Sequence, residues 1–227
     1  MEHLQNKPFF LNDEDILWVG NTLADLSDEK KIELLIITQQ SKLPFAPVGC
    51  TNASRVKALQ NAGFAALVVD FPGDEVDVRE THLVSFLNTF SFDQWEKSYG
   101  AGYASCINEG AMAFMVAPII FPGYIRMIDP RIREADIPPA TVSAATVTDL
   151  LKKKLHFNGI VVADGVKTEE IPQAIAAGCD MFFSCGSREA EMASMKKGLA
   201  EGIITQARLR EAVVQILGLK AALGLYL

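Results

Sequence analysis

Two carboxylates close apolar runs in this 227-residue chain: Ala65-Ala66-Leu67-Val68-Val69 ends on Asp70, and Gly159-Ile160-Val161-Val162-Ala163 ends on Asp164. An aspartate at the end of a buried strand can present a reactive group to a ligand above the sheet, because barrels place their chemistry at the C-terminal ends of strands. It can equally cap the helix that follows, by accepting from the free N–H groups of the first turn. Among the three histidines, His82 stands in the acidic stretch Asp74-Glu75-Val76-Asp77-Val78-Arg79-Glu80-Thr81, where composition alone describes a solvated loop. His3 and His156 have no chemical company and read as surface residues. The four cysteines, at 50, 106, 179 and 185, show neither a CxxC pair nor the cysteine and histidine spacing of a zinc site, so they read as small core residues with no metal role.

The elements that must hold these groups alternate. Residues 13 to 32 carry Ile16, Leu17, Leu23 and Leu26 at helical spacing, with Asn12 or Asp13 as cap and Ser27-Asp28-Glu29-Lys30 as a second helix start. Leu34-Leu35-Ile36-Ile37 reads as a buried strand, Pro44 to Val48 as another, and Ser54 to Asn61 as a helix stopped by Gly63. The apolar runs at 65–70, 110–116, 159–164 and 178–183 repeat one grammar: helix, glycine, then a strand apolar on both faces. The tail from Thr205 to Gly224 is a helix.

Strands apolar on both faces need helices over both sides of the sheet, which leaves a (β/α) barrel or an open doubly wound sheet. No GxGxxG or GxxxxGK[ST] loop opens any helix, so no nucleotide cofactor is expected and the barrel is preferred. The fold class is therefore α/β, a TIM-barrel-like (β/α) barrel in one domain spanning 1–227. It is shortened: about six or seven strands can be counted, against the eight of a closed barrel.

Hydrophobic residues at 49% and charged residues at 22% describe an ordinary folded protein. A net charge of −7 argues against nucleic acid as a partner, since phosphate contacts need clustered cations. The one basic run, Lys152-Lys153-Lys154, reads as a solvated helix end. No stretch is long and apolar enough for a membrane span and the start lacks a signal-like apolar core, so a cytoplasmic protein without membrane contact is expected.

Several phrases, in order, resemble the glycoside hydrolase family 3 β-N-acetylhexosaminidases. They are Leu26-Ser27-Asp28-Glu29-Lys30-Lys31-Ile32, Phe45-Ala46-Pro47-Val48, Phe71-Pro72-Gly73, Pro139-Ala140-Thr141-Val142-Ser143, Phe157-Asn158-Gly159-Ile160-Val161-Val162-Ala163-Asp164, and the closing helix at 203–224. The resemblance implies a retaining glycosidase acting on terminal β-N-acetylglucosaminides or related β-glycosides. It makes Asp164 the nucleophile that forms a glycosyl-enzyme ester. It makes His82, nine residues after Gly73, the acid/base on a loop, with Glu80 in place of the family's orienting aspartate. Asp70 and Arg79 flank this machinery as candidate substrate contacts.

The chain also departs from that pattern. Val69-Asp70 stands where the family has Lys-His, and Pro118 stands where it has a sugar-binding histidine. Between Gln40 and Pro44 several β/α units that grip the substrate are absent, and the loop after Asp164 is short. Binding energy from remote hydroxyls drives distortion of the sugar ring, so the resemblance implies weak activity on a carbohydrate substrate. The other expectation is a non-catalytic barrel remnant with a structural role. Missing strands leave open sheet edges, for which a homodimer is expected.

Overall fold

The computed structural model describes residues 1–38, 41–73, 87–184 and 186–226. Six strands are found among them: β1 (Ile36–Ile37), β2 (Phe45–Val48), β3 (Ala65–Phe71), β4 (Ala113–Val116), β5 (Ile160–Ala163) and β6 (Met181–Phe183). They form one sheet in the order β1-β6-β5-β4-β3-β2, and every neighbouring pair is parallel. This is the cyclic order of a (β/α) barrel with the β1–β2 contact missing, a curled and incomplete barrel as the alternating pattern implies.

Chain length favours a curled sheet. Parallel strands that neighbour each other are joined by a dozen or more residues, usually through a helix. Only residues 38–44 join β1 to β2, which stand at opposite edges. Six strands laid flat would separate those edges by roughly 24 Å, close to the roughly 27 Å that the link spans at full stretch. A flat sheet would thus need an almost taut connection, and a curled one does not.

The elements follow local chemistry. Asn12 caps the helix Asp13–Asp25 in a reciprocal box with Asp15, and Ser27 caps Asp28–Leu35. Helices Ile171–Ala177 and Pro122–Ile128 begin with proline in the first turn, where its missing N–H costs nothing. Gly178 ends the former at φ 120°, and Gly63 follows Ser54–Asn61 at φ 84°, both conformations that side chains resist. All four residues of β5 are buried, which only a sheet covered on both faces provides. The helix Gln206–Ala222 is buried nearly all round, with Leu209, Val213, Ile216, Leu217 and Leu219 fully inside.

Three sequence readings need correction. Leu34 and Leu35 belong to the helix Asp28–Leu35, leaving a strand of two residues. The intact i→i+4 ladder from the Ser27 cap prevails over the apolar run, which periodicity cannot distinguish from a strand. Lys152 is not solvated: it is 17% exposed and reaches fully buried Asp180 at 3.2 Å, while Lys153 and Lys154 do remain outside. His3 is half-buried rather than superficial, and burial lowers its pKa. His156 is exposed, as expected.

Candidate active site

The C-terminal ends of β3, β4 and β5 stand side by side, with Phe71, Val116 and Ala163 at one level. Asp164 is the next residue after β5. Its N–H continues the ladder by donating to Val116 O at 2.9 Å, so the main chain is fixed where the side chain begins. The residue is half-buried, and among the described residues its carboxylate has no hydrogen-bond or ion-pair partner. It does not cap the next helical turn, which begins at Thr168 with Lys167 before it. The capping alternative is thereby removed, and what remains is a carboxylate available to a ligand.

The turn beyond it is shaped by Gly165, at φ 59°. A β-carbon there would meet the Pro118 ring at 3.1 Å. Pro118 therefore packs as a wall beside Asp164 and offers no hydrogen bond from its side chain.

Asp70 lies two strands away, roughly 10 Å across the sheet by strand spacing. It has φ 61°, a left-handed conformation at the end of a strand, in a region where the β3–β4 register slips between Val68 and Phe71. Such a backbone persists only where surrounding contacts enforce it. The contacts are visible: Tyr103 OH donates to Asp70 O at 2.9 Å, and Gly73 N–H donates to the same oxygen. Trp95 Nε1–H donates to Pro72 O, and the fully buried Asn88 donates from Nδ2 to Gly73 O at 2.8 Å.

Asn88 also holds the far end of the intervening segment, because its own N–H donates to Ile120 O beyond β4. Its Nδ2 bond to Gly73 thus joins the two roots of segment 74–86 beside β3. Arg79, Glu80 and His82 belong to that segment and lie outside the described residues. Its roots are on the same rim as Asp164.

Asn88, Trp95 and Tyr103 were not singled out in the sequence. An aromatic helix after the F-P-G turn signals packing, and only coordinates reveal that its polar tips reach the rim. Phe71, Trp95, Tyr103 and Phe114 form edge-on and tilted ring contacts beneath them, with centroids 5.0 to 6.3 Å apart.

The remaining candidate groups are quiet. Among the described residues no cluster of His, Cys, Asp and Glu could hold a metal ion. Cys106 and Cys179 are buried core thiols, pushed by burial up to about 11 and about 12, and so resist becoming nucleophilic thiolates. Cys50 is half-buried, and Cys185 is outside the described residues. Among those residues no helix is long and apolar enough to cross a membrane.

Residues 48–219 match the model of the glycosyl hydrolase family 3 N-terminal domain. A β-N-acetylglucosaminidase/β-glucosidase from Cellulomonas fimi is 39% identical over 191 residues, covering 80% of this chain and 34% of that protein. A β-hexosaminidase from Methylobacillus flagellatus is 28% identical over 142 residues, covering 58% and 38%. The chain thus spans little more than a third of these relatives' length. Among solved structures, the β-glucoside phosphorylase BglX bound to 2FGlc has a TM-score of 0.85 at 23% identity, covering 99% of this chain and 64% of that one. A family 3 β-N-acetylglucosaminidase from Paenibacillus sp. FPU-7 has 0.65 at 24% identity, covering 76% and 34%. At such identities the structural likeness is one of fold. The family match over three quarters of its residues makes this chain a member of glycosyl hydrolase family 3, of which it carries the N-terminal, barrel-forming domain.

Proposed function

We propose that the chain carries the site of a retaining glycosidase for terminal β-N-acetylglucosaminides or related β-glycosides, with Asp164 as nucleophile. The observation that carries this reading is the unpartnered carboxylate of Asp164 at the C-terminal end of β5, on the rim where barrels place their chemistry. Its oxygen would attack the anomeric carbon as the glycosidic bond breaks, and the resulting ester would then be hydrolysed. His82 would protonate the leaving oxygen and afterwards take a proton from the incoming water, with Glu80 orienting the imidazole. Arg79 and Asp70 would meet substrate hydroxyls. Pro118 and the absent units between β1 and β2 remove other contacts, so turnover is expected to be slow.

The test is incubation with an aryl 2-deoxy-2-fluoro-β-glycoside, followed by intact-mass and peptide analysis. A glycosyl adduct on Asp164, together with at least a thousandfold loss of aryl β-N-acetylglucosaminide turnover in Asp164→Ala, is expected. Turnover equal in parent and variant would remove the reading. Adding inorganic phosphate to the same assay asks which acceptor resolves the ester. A protein of similar fold is a β-glucoside phosphorylase, which motivates that arm.

A further inference from the structure

Glu191 is a fully buried carboxylate that the glycosidase reading does not use. It sits in the first turn of the helix Arg188–Ala200, capped by Ser187, where the free N–H groups of the helix start favour an anion. Its two oxygens accept from Ser184 Oγ at 2.9 and 3.0 Å, and one also accepts from Gly186 N–H at 3.0 Å. Ser184 follows β6, and its N–H donates to Ile37 O of β1 at 2.9 Å. The carboxylate therefore reaches from a helix over to the rim end of β6.

That end adjoins the turn bearing Asp164. β5 and β6 are neighbours with Ala163 level with Phe182, so Ser184 stands at the height of Gly165. Gly186 packs directly on Thr168, since a β-carbon on Gly186 would come within 3.0 Å of Thr168 Oγ1. The same helix grips that turn by a second bond, Ser194 Oγ to Thr168 O at 2.7 Å. One helix thus clamps both rim turns, through Glu191 at β6 and Ser194 at the turn after β5.

We propose that Glu191 is a positioning residue for the nucleophile: by fixing Ser184 and Gly186 it presses the β6 turn against Thr168 and holds the turn from Asp164 to Thr168 in one place. The inference rests on Asp164 being the nucleophile for its consequence in turnover, but not for its structural content. A carboxylate displaced by even an ångström from the anomeric carbon loses much of its rate, while affinity for the sugar changes little.

The full chain is compared with its Glu191→Gln, Glu191→Ala and Ser184→Ala variants by amide hydrogen exchange at residues 164–168 and 184–187, and by kcat and KM for an aryl β-N-acetylglucosaminide. Glutamine keeps an oxygen for Gly186 and Ser184, so Glu191→Gln should stay within about threefold of the parent. Glu191→Ala should exchange faster in both segments and lose about tenfold or more in kcat with KM nearly unchanged. Ser184→Ala, which leaves the Gly186 bond, should show a smaller loss of the same kind and serves if the alanine at 191 fails to fold. Faster exchange confined to 184–187, or alanine variants that turn over like the parent, would overturn the proposal. If the parent itself shows no turnover, the glycosidase reading falls, and exchange at 164–168 alone decides the role of Glu191.

Discussion

Asp180 and Asp164 sit at opposite ends of the same pair of strands, and each has the surroundings the other lacks. Asp180, just before β6, is completely buried. It accepts from Val161 N–H of β5 at 2.9 Å, from Arg208 at 2.6 Å and from Lys152 at 3.2 Å. Arg208 in turn donates to Ile175 O and Cys179 O. Burial disfavours its charge, yet the Asp180 and Glu211 carboxylates outweigh that and leave its pKa raised. Asp164, just after β5, is half-buried, and its carboxylate has no partner among the described residues. A satisfied carboxylate stitches helices to the sheet and can do nothing else, whereas an unsatisfied one adds little to the fold and is free to react. Barrels in general keep groups of these two kinds at opposite ends.

Stability measurements can break or sharpen that contrast. The largest effect is expected from Asp180→Ala, which leaves Arg208 and Lys152 facing each other without their shared anion. Chemical denaturation should show a loss of about 3–5 kcal/mol, and a loss below 1 kcal/mol would mean that the cluster is no staple. A smaller change of opposite sign is expected at the rim. Asp70→Gly relieves a left-handed backbone at the expense of unfolded-chain entropy, and should gain about 0.5–1 kcal/mol while lowering turnover. A destabilised glycine variant would show that the Asp70 carboxylate contributes more through its own interactions than the left-handed backbone, held by Tyr103 and Gly73, costs. The smallest effect is expected from Asp164→Ala, within about 0.5 kcal/mol of the parent by the same measurement, despite its predicted loss of turnover. A large destabilisation there would return Asp164 to a structural role.

Much of this arrangement is legible in the residues. The apolar runs ending at Asp70 and Asp164 are strands because nothing polar interrupts either face, and capping residues such as Ser27 and Thr205 mark helix starts by chemistry acting over three residues. The F-P-G turn and the strand closing on Asp164 mark the family because their residue types and order suffice to identify it. Glu191, Asn88 and Lys152 were not legible in the same way. A glutamate in a first turn, an asparagine in a loop and a lysine in a basic run each have an ordinary exposed reading, and their partners lie 7, 15 and 28 residues away along the chain.

The sequence by itself determines the parallel α/β grammar, the number of strands to within one, and the rim position of Asp164. All three depend on contacts between near neighbours and on periodicity. The tertiary structure alone decides which carboxylate is paired and which is free, that residues 38–44 join opposite edges of a curled sheet, and that one helix grips two rim turns. Those outcomes depend on which distant side chains are buried together, where an unpaired charge is too costly to keep, and chain order does not encode that distance.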